Sequence, residues 1–304
     1  MDRVVAERLA HGVDGAGAAV ALVERGQLQL RRLQREHSGT FAAMTLRLAP
    51  IVDGNPDGKT LVFIQGWPDD ASLWYGTVAT LGKTHRCVRV TLPNFDGQRT
   101  ERWGYSTDEV VDALTDLVRD AAKIAKDGKV TLVLHDWGSY WGHPVHHRVP
   151  ELVARVITVD VAPHFTPGVA GALGIVAYQS WLFWANVLGG GAGDWMTRRF
   201  ATLFHVPDAR TRPLTAWMNY PYRNIWGDLL VGRQAKLTKG YWPTCPLLFV
   251  YGEKKPFAFH SAQWTDHVKK VGGEVVGLPA NHWVMTDPAF VGVLARWLEK
   301  TRSS

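Results

Sequence analysis

A continuous apolar run, Val130–Leu134, ends in His135-Asp136-Trp137-Gly138-Ser139, and a helical pattern follows. A strand, a sharp turn and a helix around one reactive side chain is the context that exposes a nucleophile. The register puts Asp136 at the tip of that turn, and a carboxylate can attack an sp³ carbon to form an alkyl ester. A plainer reading makes Asp136 the N-cap of the helix. Ser139 is a weaker nucleophile candidate, because it falls inside the first helical turn. After the apolar run Leu61–Ile64 comes Gln65-Gly66-Trp67-Pro68-Asp69. A tight turn there would aim the Trp67 N–H at the same point as the Trp137 N–H. Two such amides form an oxyanion hole, although Gly-Trp-Pro alone is only a turn. Ala280-Asn281-His282-Trp283 follows the last strand pattern and supplies, in the right chain order, a histidine to activate water.

These residues need a sheet to hold them. From residue 45 onward short apolar runs alternate with helical patterns. Thr45–Pro50, Leu61–Ile64, Cys87–Leu92, Val130–Leu134, Arg155–Val161, Leu247–Tyr251 and Glu274–Leu278 read as strands. Helices are expected from Thr107, as the cap, to about Ala125, and over Gly142–Val149, Ser261–Val271 and Ala289–Thr301. Asp53–Gly58 reads as the turn between the first two strands. This alternation implies an α/β class with a mostly parallel sheet covered on both faces, whose strand ends carry the chemistry. Residues 164–242 break the rhythm and read as a helical insertion. The first 44 residues form an extension, with a helix expected around Val20–Glu36.

Composition removes other classes. Two cysteines, Cys87 and Cys245, cannot make a disulfide framework or a cysteine-based zinc site. The 34 Lys+Arg against 28 Asp+Glu form no basic stripe, so nucleic acid is not an expected partner. His143, His146 and His147 lack a matching carboxylate pattern, and no metal site is assigned to them. Residues 1–40 mix six Arg with five acids, unlike an acid-poor transit peptide. With no secretory pattern, a cytoplasmic location is expected. Phe165–Gly193 is 29 residues without a charge, but it holds seven Gly together with Gln179, Ser180 and Asn186. It reads as buried lid or pocket lining and not as a stable membrane insertion, with peripheral membrane contact as a secondary reading. Fourteen Trp, six of them in 164–242, suggest an aromatic pocket between sheet and insertion.

His-Asp-Trp-Gly at the turn, Gly-Trp-Pro after the earlier strand, and a late His-Trp followed by Thr286-Asp287-Pro288 together resemble the epoxide hydrolase and haloalkane dehalogenase branch of the α/β-hydrolase family. The likeness covers about residues 45–300. It implies an α/β-hydrolase fold, an eight-stranded, mostly parallel sheet over 45–163 and 243–304, with a helical cap at 164–242. It also implies two steps: attack by Asp136, then hydrolysis of the ester by His282-activated water, with the Trp67 and Trp137 amides as oxyanion hole. No cofactor is implied; the partners are water and a hydrophobic small molecule. Tyr178-Gln179 and Tyr220-Pro221-Tyr222-Arg223-Asn224 are similar to the elements that place two cap tyrosines over an epoxide. Tyr178 and Tyr222 therefore favour epoxide opening. A dehalogenase is the alternative, with the Trp137 indole and a cap Trp as halide donors, although Trp67 stands where Asn would serve it. Gln65 replaces a usual His. Lys255 falls where many relatives carry the relay acid, and a lysine cannot stabilise an imidazolium. Asp160, in Val159-Asp160-Val161, is the expected relay acid, with Glu253 in reserve. These two departures also leave open a catalytically silent binding protein that retains the pocket.

Overall fold

A computed structural model describes residues 46–230, 232, 239–255 and 258–301, which lie in one compact unit beginning at Leu46. The expected extension and its helix lie outside the described residues. Seven strands form one sheet: β1 (Pro50–Gly54), β2 (Lys59–Ile64), β3 (His85–Val90), β4 (Val130–His135), β5 (Val153–Val159), β6 (Leu247–Gly252) and β7 (Glu274–Leu278). Their order is β1-β3-β2-β4-β5-β6-β7, with β1 antiparallel to β3 and every other pair parallel. Eight strands were expected; seven occur among the described residues.

The period-two geometry of strands explains why these runs are apolar throughout. Val62 and Ile64 of β2 join one buried cluster, while Leu61 and Phe63 join the other. The first cluster packs under α2 (Thr107–Ile124) and α3 (Trp137–Arg148). The second packs under α1 (Tyr75–Leu81) and α8 (Ala289–Lys300). Between β5 and β6 the chain leaves the sheet to build α4 (Val169–Leu188), α5 (Gly190–Leu203) and α6 (Tyr220–Leu230), then returns; α7 (Ala262–Lys270) links β6 to β7. No helix among the described residues is long and apolar enough to cross a membrane.

Local chemistry moved several boundaries. The first strand begins at Pro50, because Asp53 pairs across the ladder with buried Arg89 (Oδ2 to Nε 2.8 Å) and so belongs to the strand and not to the turn. The 71–81 helical segment was not anticipated. It starts at Asp70, whose carboxylate accepts the Ser72 N–H at 2.7 Å. Helix α2 is capped by Ser106 and not by Thr107. Ser106 Oγ accepts the Glu109 N–H, and Glu109 accepts the Ser106 N–H at 2.8 Å. Thr107 instead donates to Asp228 on α6 at 2.7 Å. Ser106→Ala should therefore destabilise the fold by about 1 kcal/mol in chemical denaturation.

Candidate active site

The turn from β4 into α3 holds Asp136 at φ 52°, ψ −120°, a left-handed conformation that costs a non-glycine residue free energy. The crossing is tight enough to demand glycine nearby. A Cβ on Gly138 would lie 2.2 Å from the Ile64 carbonyl oxygen, and one on Gly66 would lie 2.3 Å from Asp136 Cβ and 2.5 Å from the Trp137 nitrogen. Those approaches bring the Gly66-Trp67 turn against the elbow. The Asp136 side chain makes no capping hydrogen bond, so the N-cap reading does not account for it. Its Oδ2 accepts the Trp67 N–H at 2.7 Å, and its Oδ1 lies 3.6 Å from His282 Nε2. Ser139 is fully buried in the first turn, with its N–H on the Asp136 carbonyl.

His282 stands beyond the end of β7, and its Nδ1 lies 2.5 Å from Asp160 Oδ2. Asp160, directly after β5, is fully buried and also left-handed (φ 69°). Its second oxygen, Oδ1, accepts the Gly252 N–H at 3.0 Å and the Lys255 ammonium. Asp160 thus meets both His282 and Lys255, one on each oxygen. Glu253 is exposed. Lys255 does not meet the imidazole itself: its ammonium lies on the far oxygen of Asp160. Gln65 is fully buried. With its amide oriented to satisfy both ends, it donates to the Val90 carbonyl and accepts the Leu92 N–H, tying the ends of β2 and β3.

Charge sets the protonation states. Burial would raise Asp160, but the hydrogen bond and charge of His282, the Lys255 charge and the Gly252 N–H hold it at about 2. Burial would lower His282, yet contact with Asp136 and Asp160 and their two charges raise it to about 9. His135 is held down at about 4 by burial and then by His282, so its neutral ring donates Nε2–H to the His282 carbonyl at 3.1 Å. Tyr178 on α4 and Tyr222 on α6 lie close enough to Asp136 to feel its charge, with ring centroids 6.0 Å apart. Burial and then the Asp136 charge raise both hydroxyls, so they remain proton donors. Tyr222 lies edge-on to Trp137 (5.2 Å) and to Trp67 (5.8 Å). The Trp67 indole N–H donates to Asn219 Oδ1 at 2.8 Å, and the Trp137 side chain hydrogen-bonds Tyr222.

Three of the six tryptophans expected to line this pocket do not. Trp181, Trp184 and Trp195 are exposed on the outside of the cap, and one face of α4 is solvent-facing instead of buried. The apolar wall comes from Trp67, Trp137, Phe200 and the two tyrosines. His143 and His146 are occupied by Thr158 (3.2 Å) and Tyr241 (2.7 Å). Two further residues were missed. Asp69, at 1% exposure, accepts Arg212 at 2.5 Å and the Trp283 indole N–H at 2.8 Å, while Arg212 also donates to the Pro68 carbonyl at 2.9 Å. This ion pair ties the cap to the Trp67 turn and to the residue after His282. Asp69 follows Gly-Trp-Pro directly; nothing local marks Arg212.

The sequence profile of the alpha/beta hydrolase family matches residues 61–292. Epoxide hydrolase 2 of Caenorhabditis elegans is 26% identical over 121 residues, which are 39% of this chain and 33% of that protein. The chain thus spans about a third of that relative's length. A provisionally assigned epoxide hydrolase from Pseudomonas aeruginosa superimposes with a TM-score of 0.63 at 18% identity, over 87% of this chain and 96% of that one. A haloalkane dehalogenase variant, DbeA-M1, from Bradyrhizobium elkanii gives 0.61 at 18%, over 84% and 94%. At such identities the structures speak for the fold alone. Replacing Arg212 with Met should strand buried Asp69 without its cation and cost about 3–5 kcal/mol in unfolding free energy, measured by denaturant titration.

Proposed function

Because the chain belongs to the alpha/beta hydrolase family, we propose that it opens epoxides to vicinal diols through a covalent ester on Asp136. The observation that carries this reading is the Asp136 carboxylate held between the Trp67 N–H and His282 Nε2, with two protonated tyrosines opposite. In the first step an Asp136 oxygen bonds to an epoxide carbon and the ring C–O bond breaks. The alkoxide takes a proton from Tyr178 or Tyr222, whose buried hydroxyls suit a developing anion. In the second step water adds to the ester carbonyl and His282 takes its proton. The oxyanion rests on the Trp67 and Trp137 amides; as the acyl–oxygen bond breaks, the leaving oxygen takes the second proton of the water from the new carboxyl group, which releases the diol and restores the carboxylate with His282 protonated.

Protonation closes this cycle. The imidazole stands at about 9 while Asp136 is charged, so the resting site holds an imidazolium. Esterification removes the Asp136 charge, one of the causes of that rise, and His282 then gives up its proton as the tyrosine regains one through solvent. The site enters hydrolysis with a neutral base and no net change in protons. Trp67, Trp137, Phe200 and Tyr222 favour a hydrophobic epoxide. A haloalkane dehalogenase would use the same nucleophile, and the fold likeness keeps it as the second reading. Against it, the Trp67 indole N–H is engaged by Asn219 Oδ1 at 2.8 Å. The Lys255–Asp160 ion pair supports an active site over a silent binding protein.

His282→Gln incubated with aryl, alkyl and small polar epoxides should accumulate an adduct of the epoxide's mass on Asp136, strongest for the aryl and alkyl series. An unmodified Asp136 across the whole panel rejects the reading, and halide release from haloalkanes with no diol formation would favour the second.

A further inference from the structure

Lys255 occupies the loop after β6 with its side chain only 7% exposed, and its ammonium meets Asp160 Oδ1, the oxygen that His282 leaves unused. Gly252 N–H shares that oxygen at 3.0 Å. The Phe259 ring lies 5.4 Å from the ammonium and stands edge-on to His282 at 5.9 Å. An ammonium taken this far out of water needs a close anion to offset its desolvation, and Asp160 is the carboxylate it contacts. The site is therefore a chain of four alternating charges: Asp136, His282, Asp160 and Lys255.

We infer that Lys255 is a positioning residue for the hydrolytic step: by neutralising Asp160, it frees His282 to release its proton once Asp136 has become an ester. The inference rests on the proposed two-step reaction for its catalytic meaning. Charge counting carries it. In the resting site two carboxylates face two cations. When Asp136 loses its charge, Asp160 and Lys255 still balance one another, so an imidazolium is left as surplus positive charge and sheds its proton. Without Lys255, Asp160 would stand as an unbalanced buried anion against the ring. It would hold His282 as imidazolium in the ester state, where a base is required. Lys255 also fixes the Asp160 carboxylate in the plane that gives Oδ2 to His282 Nδ1.

The other groups against His282 do not supply this effect. Asp136 loses its charge in the step itself. His135, on β4, is neutral and donates to the His282 backbone. His260, in the loop with Lys255, is lowered by burial and then by the Lys255 charge, so it adds no cation at neutral pH. Phe259 and Trp283 present rings.

The test is a histidine-¹⁵N NMR titration of His282 in the full chain carrying Asp136→Asn, which imitates the uncharged ester, alone and combined with Lys255→Met, Lys255→Gln or Lys255→Arg. The Met and Gln variants should raise the His282 midpoint by about one pH unit, tenfold in proton affinity, and Arg should restore the parent value. Two uncharged replacements guard against one that fails to fold. An unchanged midpoint in either folded uncharged variant overturns the inference, as does a rise that Arg fails to reverse. The titration uses no substrate, so it is decided separately from whether epoxides are opened.

Discussion

A carboxylate with no exposed surface must be met by donors on every side, and Asp160 is that carboxylate. Its partners come from three places in the sheet: Gly252 at the end of β6, Lys255 just beyond, and His282 after β7. Its own backbone, at φ 69°, turns the chain out of β5 towards the cap. Satisfying one buried anion therefore fixes where three strand ends stand relative to one another. His282, held through Nδ1, then has a single direction for Nε2, and that direction is Asp136. The elbow completes the arrangement from the other side, where the Gly66 turn packs too closely for any Cβ and delivers the Trp67 amide to the carboxylate.

The cap enters through a second buried anion. Asp69 collects Arg212 from the insertion and the Trp283 indole from beside the base. The same turn thus gives the Trp67 N–H to Asp136 and, two residues later, anchors the insertion through Asp69. Tyr178 and Tyr222 meet beside Trp67 and Trp137 from helices that this anchor and the Trp67–Asn219 bond hold in place. The sheet and the inserted helices are in this way tied together through Gly66–Asp69.

What the sequence made legible was local or followed a strand end. Asp136 could be found because strand, turn and helix are contiguous, and Asp160 and His282 because parallel sheets put chemistry at carboxyl ends. Residues whose meaning depends on distant partners were misread or missed. Lys255 showed only its charge sign; its partner Asp160 lies 95 positions away. Arg212 finds Asp69 across 143 positions and carries no local mark. The uncharged Phe165–Gly193 run looked buried because composition does not say which helix face meets the core. Trp181 and Trp184 turned out to face solvent while Leu182 and Ala185 pack inward. Smaller errors had the same origin: Ser106 takes the cap from Thr107 through its reciprocal bond with Glu109, and Asp53 reads as a turn residue until Arg89 claims it.

The account stands on Asp136 as a covalent nucleophile and not as a base for direct attack by water. A single turnover of an epoxide in ¹⁸O-enriched water separates these outcomes, with both the diol and the Asp136-bearing peptide weighed by mass spectrometry. The account predicts one ¹⁸O in the Asp136 carboxylate and an unlabelled diol, because the enzyme's own oxygen leaves with the product. Label in the diol, with none in the peptide, would contradict it.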